Sequence, residues 1–248
     1  MSTTVSSFSY VLPVHNQESV LLHSVLRLHA RLREFPDSEI LLVENGSSDE
    51  SAALCAELSS MLAADGVAVR TATSPKGMGH ALRRGMAMAR GDVVVLTAAD
   101  LPFDFTDLDA YLATWPRPRI AIGSKGHPQS QVDVASERRV MSEVFRWMRR
   151  ATLGLRVRDS QGTIFLDASL CRRILPRLAC GDFLISTEVV CWAIAEGAEP
   201  VEMPVVYPRS QSSTVSPVRD SARMLAEMVA LRRRLHDATG TATALQQL

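Results

Sequence analysis

No run of about 18 or more consecutive apolar residues occurs in the 248-residue sequence, so it holds no evident membrane-spanning helix. Charge of one sign is also missing. Lys+Arg and Asp+Glu are equal at 27 each, which removes any global electrostatic argument for a nucleic-acid partner. The four cysteines, Cys55, Cys171, Cys180 and Cys191, show no CxxC or Cys/His spacing, so they read as neutral thiols of a reducing compartment. The first residues lack the basic, apolar and small-residue order of a secretory signal. The expected location is cytoplasmic, at most peripheral to the inner face of the membrane. No Gly-x-Gly-x-x-Gly follows the first apolar run, which argues against a dinucleotide-dependent dehydrogenase.

What is present is alternation. Apolar runs at Ser9 to Val14, Glu39 to Val43, Val67 to Thr73 and Asp92 to Thr97 read as strands. Between them, Leu21, Val25, Leu28 and Leu32 recur at helical spacing, and helices are expected over Glu50 to Leu62 and Gly77 to Arg90. Continuous apolar strands alternating with amphipathic helices predict an α/β fold, a mostly parallel sheet flanked by helices, in a single compact domain. Further on, strands are expected at Arg119 to Gly123, Thr163 to Leu166 and Val201 to Tyr207. Helices are expected at Ser136 to Leu153, Ser186 to Glu196 and Val218 to Leu235.

Ligands of such sheets bind beyond the carboxyl ends of strands. Four polar clusters stand there: Pro13 to Glu18, Glu44 to Asp49, Lys76 to Ala81 and Ala98 to Pro102. Asn-Gly followed by Ser and Asp is also what an ordinary strand-to-helix turn looks like. Gly77-Met78-Gly79 opens a helix after a strand. Missing Cβ atoms would let backbone approach a pyrophosphate there, with helix N–H groups facing it and Lys76 adding charge.

The runs YVLPVHNQE, ILLVENGSSDES and PKGMGHALRRGMAMARGDVVVLTAADLPF, followed by RIAIGSK, RRVMSEVF, GLRVRDSQG and STEVV, resemble the family 2 inverting glycosyltransferases, above all the polyprenyl- and dolichyl-phosphate sugar synthases. The resemblance covers about residues 8 to 230. It implies a Rossmann-like GT-A fold, with a nucleotide-sugar half at about 8–103, an acceptor half at about 104–216 and an amphipathic helix at about 217–236. It also implies a nucleoside diphosphate sugar as donor, a polyprenyl phosphate or small molecule as acceptor, and no nucleic acid. Pro13, His15, Asn16, Glu18, Glu44 and Asn45 would line the base and ribose, with Lys76, Gly77, Gly79, Ala98 and Ala99 nearer the phosphates. Glu44 replaces a usual Asp, and Asp49 either supports the loop or touches ligand.

The resemblance also marks departures. The family's Asp-x-Asp holds a divalent cation, Mg²⁺ or Mn²⁺, on the donor pyrophosphate. Here the triplet is Ala98-Ala99-Asp100. Asp100 then holds the metal alone, or Asp104 assists, or the site is impaired. Lys125 stands where relatives carry Arg, and Arg138 and Arg139 match cations that approach an acceptor phosphate. Asp159 and Gln161 match an acceptor element that is one residue short before Gly162. Arg209 is the nearest cation in a loop where Thr214 replaces a Lys. Glu188 lies on an apolar helix and must either face the acceptor or pair with a cation. For a hydroxyl acceptor it is the first candidate base, with Asp159 behind it. A phosphate acceptor needs no strong base. Arg232-Arg233-Arg234 beside an apolar stripe would suit a membrane surface, the protein's own core or a second subunit in a homodimer. Two functions remain open, a hexosyltransferase and a degenerate relative that binds nucleotide or a partner without turnover.

Overall fold

The computed structural model describes residues 7–63, 66–133, 136–208 and 217–239, with backbone alone at 136–140, 217–223 and 239. Contacts group the chain into two units, 1–102 together with 163–185, and 103–162 together with 186–248. The chain enters the first through β1 (Phe8–Val14), α1 (Glu18–Leu32), β2 (Glu39–Glu44), α2 (Ser51–Met61), β3 (Ala68–Thr73), α3 (Met78–Met88) and β4 (Val93–Leu96). The second opens with α4 (Thr106–Ala113), β5 (Ile120–Gly123), the short β6 (Gln131–Val132) and α5 (Ser136–Leu153). The chain then returns to the first unit for β7 (Ile164–Asp167) and α6 (Ala168–Ile174). It ends in the second with most of α7 (Ile185–Ala195), β8 (Val201–Met203), β9 (Val206–Tyr207) and α8 (Pro217–Thr239).

In the first unit the strand order is β3-β2-β1-β4-β7. The first four are parallel, while β7 runs antiparallel to β4, Val95 opposite Phe165. Both faces of β1, β2 and β4 are covered, which is why these strands read as unbroken apolar runs rather than alternating ones. On α1 the buried stripe is Leu21, Val25, Leu28 and Leu32, as its periodicity predicts. Helix α3 lies close on β1: a Cβ at Gly85 would stand 2.2 Å from Val11 Cγ1. At the amino ends of the strands the buried Glu39 is fully engaged. Its carboxylate accepts from Ser9 Oγ at 2.8 Å, Arg90 N at 2.8 Å and Arg70 Nη1 at 2.7 Å. A buried carboxylate needs such partners.

In the second unit β5 pairs in parallel with β8, and β6 with β9. The single strand expected over 201–207 is two, divided at Pro204, which has no N–H to donate to a ladder. Helices α4 and α6 and strand β6 were not expected from sequence; each is short, and β6 has only two residues. Met228, Leu231 and Leu235 form the buried stripe of α8, which packs on α5. Among the described residues no helix is long and apolar enough to cross a membrane.

Candidate functional site

The first two strand-end loops are sewn to each other. Asn16, in a left-handed conformation at φ 52°, accepts from Ser48 N through its Oδ1 at 2.8 Å, while its own N–H donates to Ser47 Oγ at 3.2 Å. Glu18 Oε2 accepts from Glu50 N at 3.0 Å, and Glu18 N donates to Asp49 Oδ2 at 3.2 Å. Asp49 therefore supports the loop. Hydrogen bonding from Ser51, above all, holds its carboxyl below the ordinary carboxylate value. Glu44 bends back on its own turn, accepting from Ser47 N at 2.5 Å. Asn45 is buried and engaged at both ends of its amide. Its Nδ2 donates to Val14 O at 3.0 Å, and its Oδ1 accepts from Gly77 N at 3.4 Å, joining the first three loops. So Asn16, Glu18 and Asn45, expected to line the nucleotide, each give at least one side-chain polar group to building the loops. His15 differs. It is half-buried, and its Nδ1 is buried with no hydrogen-bond partner among the described residues. Pro13 lies beside it, half-buried at the end of β1.

The third loop changes the meaning of its glycines. A Cβ at Gly77 would meet Gly181 O at 2.3 Å, and one at Gly79 would meet Cys180 O at 2.3 Å. Gly79 N and His80 N both donate to Gly181 O, at 3.0 and 3.3 Å. The bare glycines thus admit the 180–182 backbone, and two N–H groups at the start of α3 are already used. Lys76 remains exposed. Beside it a shallow cavity of about 360 Å³ is lined by Ser74, His80, Arg83 and Arg84 among others.

At the end of β4, Thr97 Oγ1 and Thr163 Oγ1 lie 2.9 Å apart, tying this loop to the start of β7. Ala99 is buried, and Leu101 turns the chain at φ 47° with its N–H on Ala98 O at 3.1 Å. The turn leaves Ala98 and Asp100 exposed. Among the described residues no three His, Cys, Asp or Glu side chains gather into a metal-holding group. What the loop offers a hard cation is one carboxylate, Asp100. That fits an ion whose remaining ligands are donor phosphate oxygens and water.

In the second unit the end of β5 presents Gly123-Ser124-Lys125. A Cβ at Gly162 would lie 1.8 Å from Gly123 O, so the 158–162 segment folds directly onto this strand end. Two carboxylates hold it there. Asp159 accepts from Lys125 N at 3.1 Å and Gln161 N at 2.8 Å. Glu202 accepts from Ser124 Oγ at 2.5 Å, Asp159 N at 3.1 Å and Arg158 N at 3.0 Å. Sequence reasoning missed Glu202; its one signal is an acid inside the apolar run VEMPVV. Gln161 is half-buried, its Nε2 3.4 Å from Thr187 Oγ1. Lys125 Nζ lies 5.3 Å from the Tyr207 ring centre. Arg149, also unforeseen, is buried, and among the described residues only its Nη2 is bonded, to Arg158 O at 3.0 Å. Burial, chiefly, pushes its guanidinium value down.

Both expected bases are engaged by other groups of the protein. Both oxygens of Asp159 face backbone amides. Glu188 is fully buried and ion-paired to Arg234 of α8, the second of the alternatives open to it. Arg138 and Arg139 fall in the first turn of α5, but their side chains are outside the described residues, as is Arg209 altogether.

Residues 9–173 match the family described as Glycosyl transferase family 2. The chain belongs to that family. Human dolichyl-phosphate beta-glucosyltransferase is 28% identical over 136 residues, 50% of this chain and 42% of that protein. Undecaprenyl-phosphate 4-deoxy-4-formamido-L-arabinose transferase of Pseudomonas fluorescens (strain Pf0-1) is 37% identical over 94 residues, 38% of this chain and 27% of that protein. The chain therefore spans less than half the length of these curated relatives. Glucosyl-3-phosphoglycerate synthase from Mycobacterium tuberculosis, solved with UDP, superposes with a TM-score of 0.61 at 17% identity, over 95% of this chain and 80% of that one. Its complex with Mn²⁺, UDP-glucose and phosphoglyceric acid gives a TM-score of 0.61 at 16% identity. Such identities carry the fold alone. The family 2 chain thus has the GT-A fold expected of it, a mostly parallel sheet flanked by helices.

Proposed function

We propose that this family 2 protein transfers a hexose, with inversion, from a nucleoside diphosphate sugar to a phosphate monoester acceptor of the polyprenyl phosphate kind. The observation that carries the acceptor class is the engagement of both candidate bases, Asp159 on two backbone amides and Glu188 on Arg234. An alcohol must lose a proton as it attacks, and a positioned base speeds that by about 10²–10⁴-fold. A phosphate oxygen is already ionised near neutral pH. It attacks the anomeric carbon as the bond to the nucleoside diphosphate breaks, and no protein base is required. The names of the dolichyl- and undecaprenyl-phosphate relatives agree with that chemistry.

On the first unit, Pro13, His15 and the free oxygen of Glu44 would meet the base and ribose, with Lys76 placing positive charge near the phosphates. Asp100 would hold Mg²⁺ or Mn²⁺, which when bound offsets charge on the departing diphosphate. On the second unit, Lys125 attracts the acceptor phosphate as a point charge, with Arg138, Arg139 and Arg209 as further cations. Contact with the cytoplasmic face of a membrane would follow from a lipid acceptor.

A competing reading, nucleotide binding without turnover, rests on Ala98 in place of the first carboxylate. Radiolabelled sugar transfer to a short polyprenyl phosphate and to the matching alcohol tests both. Product from the phosphate alone is expected. Product from the alcohol alone sinks the acceptor reading. Calorimetric binding of UDP, GDP or dTDP with no product from any donor, and turnover restored by Ala98→Asp, would favour the competing reading.

A further inference from the structure

We infer that Tyr207 is a positioning residue that holds the ammonium of Lys125 ready for the acceptor phosphate. The inference rests on the reading of Lys125 as the acceptor cation. The ammonium stands 5.3 Å from the Tyr207 ring centre, inside the roughly 6 Å range of a cation–π contact. Among the described residues its side chain has no carboxylate partner.

The ring itself is fixed. Phe103, buried, meets it edge to face at 5.9 Å and 68°. The backbone on either side is tied down as well. Asp133 N donates to Tyr207 O at 3.1 Å, Val206 N donates to Thr106 Oγ1 at 3.1 Å, and β9 pairs with β6. At the other end, Asp159 fixes the backbone of Lys125. The flexible stem between these anchors has much rotamer freedom to lose. A carboxylate would order that stem too, but would neutralise the charge and occupy its N–H groups. An aromatic face attracts the charge while leaving the N–H donors for phosphate oxygens. Sequence reasoning had no reason to select Tyr207, because residues 82 positions apart meet only once β5 and β9 are placed.

Steady-state kinetics with a short polyprenyl phosphate test the inference, read as acceptor KM against kcat. Tyr207→Leu is expected to raise acceptor KM about three- to thirtyfold, the span of a cation–π contact, while kcat, donor KM and Tm hold. Tyr207→Phe keeps the ring and is expected to restore the acceptor KM. In a Lys125→Met background, Tyr207→Leu is expected to add nothing further. If Lys125→Met leaves acceptor KM unchanged, the acceptor reading of Lys125 fails and the inference falls with it. If Lys125→Met raises it and Tyr207→Leu does not, the inference alone is overturned. A Tyr207→Leu that lowers Tm and kcat together, unrescued by Tyr207→Phe, assigns the ring to structure and overturns it as well.

Discussion

A methyl group added at Gly79 would stand 2.3 Å from the Cys180 carbonyl oxygen and 2.6 Å from the Gly181 carbonyl carbon, and backbone cannot yield as a flexible side chain does. Gly79→Ala is therefore expected to destabilise by about 1–3 kcal/mol, as overpacking does. At roughly 2–4 °C per kcal/mol for a chain of this size, Tm drops by several degrees. Were the glycine bare only for a ligand, Gly79→Ala would weaken nucleotide binding and leave Tm alone. A melt with and without UDP separates the two. The spacing Gly77-x-Gly79 was legible in sequence; its partner was not, since the 180–182 segment is about a hundred residues away along the chain. The cysteines give a second residue-scale test. Burial pushes the thiol of Cys55 up to about 11 and that of Cys171 up to about 12, from an ordinary 9.0. Above pH 9 the unfolded chain releases these protons while the folded one keeps them. Their contribution is thus complete below pH 9 and is lost as pH climbs toward 11 and 12. Urea midpoints from pH 8 to 11 are expected to fall more steeply for the native chain than for Cys55→Val with Cys171→Val. Parallel curves would remove the thiols from the account.

At the scale of elements, α7 and α8 are joined by the Glu188–Arg234 pair. The helical patterns of both were readable from their apolar spacing, and so was the dilemma of an acid at position 188. Its resolution was not, because no periodicity in α7 names a partner 46 residues downstream. The same pairing engages part of the basic cluster of α8. Arg234 turns inward to Glu188, and Arg232 donates to Thr152 O at 3.0 Å, which leaves Arg233 as the member not committed to the protein by these contacts. Removing one partner of a buried pair costs about 3–5 kcal/mol. The lower end is expected for Glu188→Gln, because the side chain of Arg234 is still 33% exposed and partly screened. Arg234→Met, which takes the guanidinium from a fully buried carboxylate, is expected to cost more, and Glu188→Leu with Arg234→Met to recover most of the loss. Denaturant melts read these differences. A Glu188→Gln protein with wild-type stability and abolished kcat would return Glu188 to the role of base.

Across the whole molecule, the chain path decides what can be taken apart. The four parallel strands were plain in the sequence, β1, β2 and β4 as unbroken apolar runs and β3 as a strand candidate between two helical patterns. The family resemblance implies a nucleotide-sugar half at about 8–103. The contacts group residues 163–185 with residues 1–102. An antiparallel strand returning from a distant segment has the same composition as any buried strand, so nothing local in Ile164-Phe165-Leu166 announces where it pairs. Without that return, β4 loses its neighbour along Val93 to Leu96, all four buried, and exposes an unpaired apolar edge of the kind that drives aggregation. Gly77 and Gly79 would lose the backbone they pack on, and Gly79 N and His80 N the carbonyl they share. A fragment of residues 1–102 is therefore expected to show no cooperative melt and no calorimetric heat with UDP. The same fragment joined through a Gly/Ser linker to residues 163–185 is expected to regain a melting transition. A sharp melt and nucleotide binding from residues 1–102 alone would mean that the donor site is built by the parallel strands without help, and that the return of the chain only covers their edge.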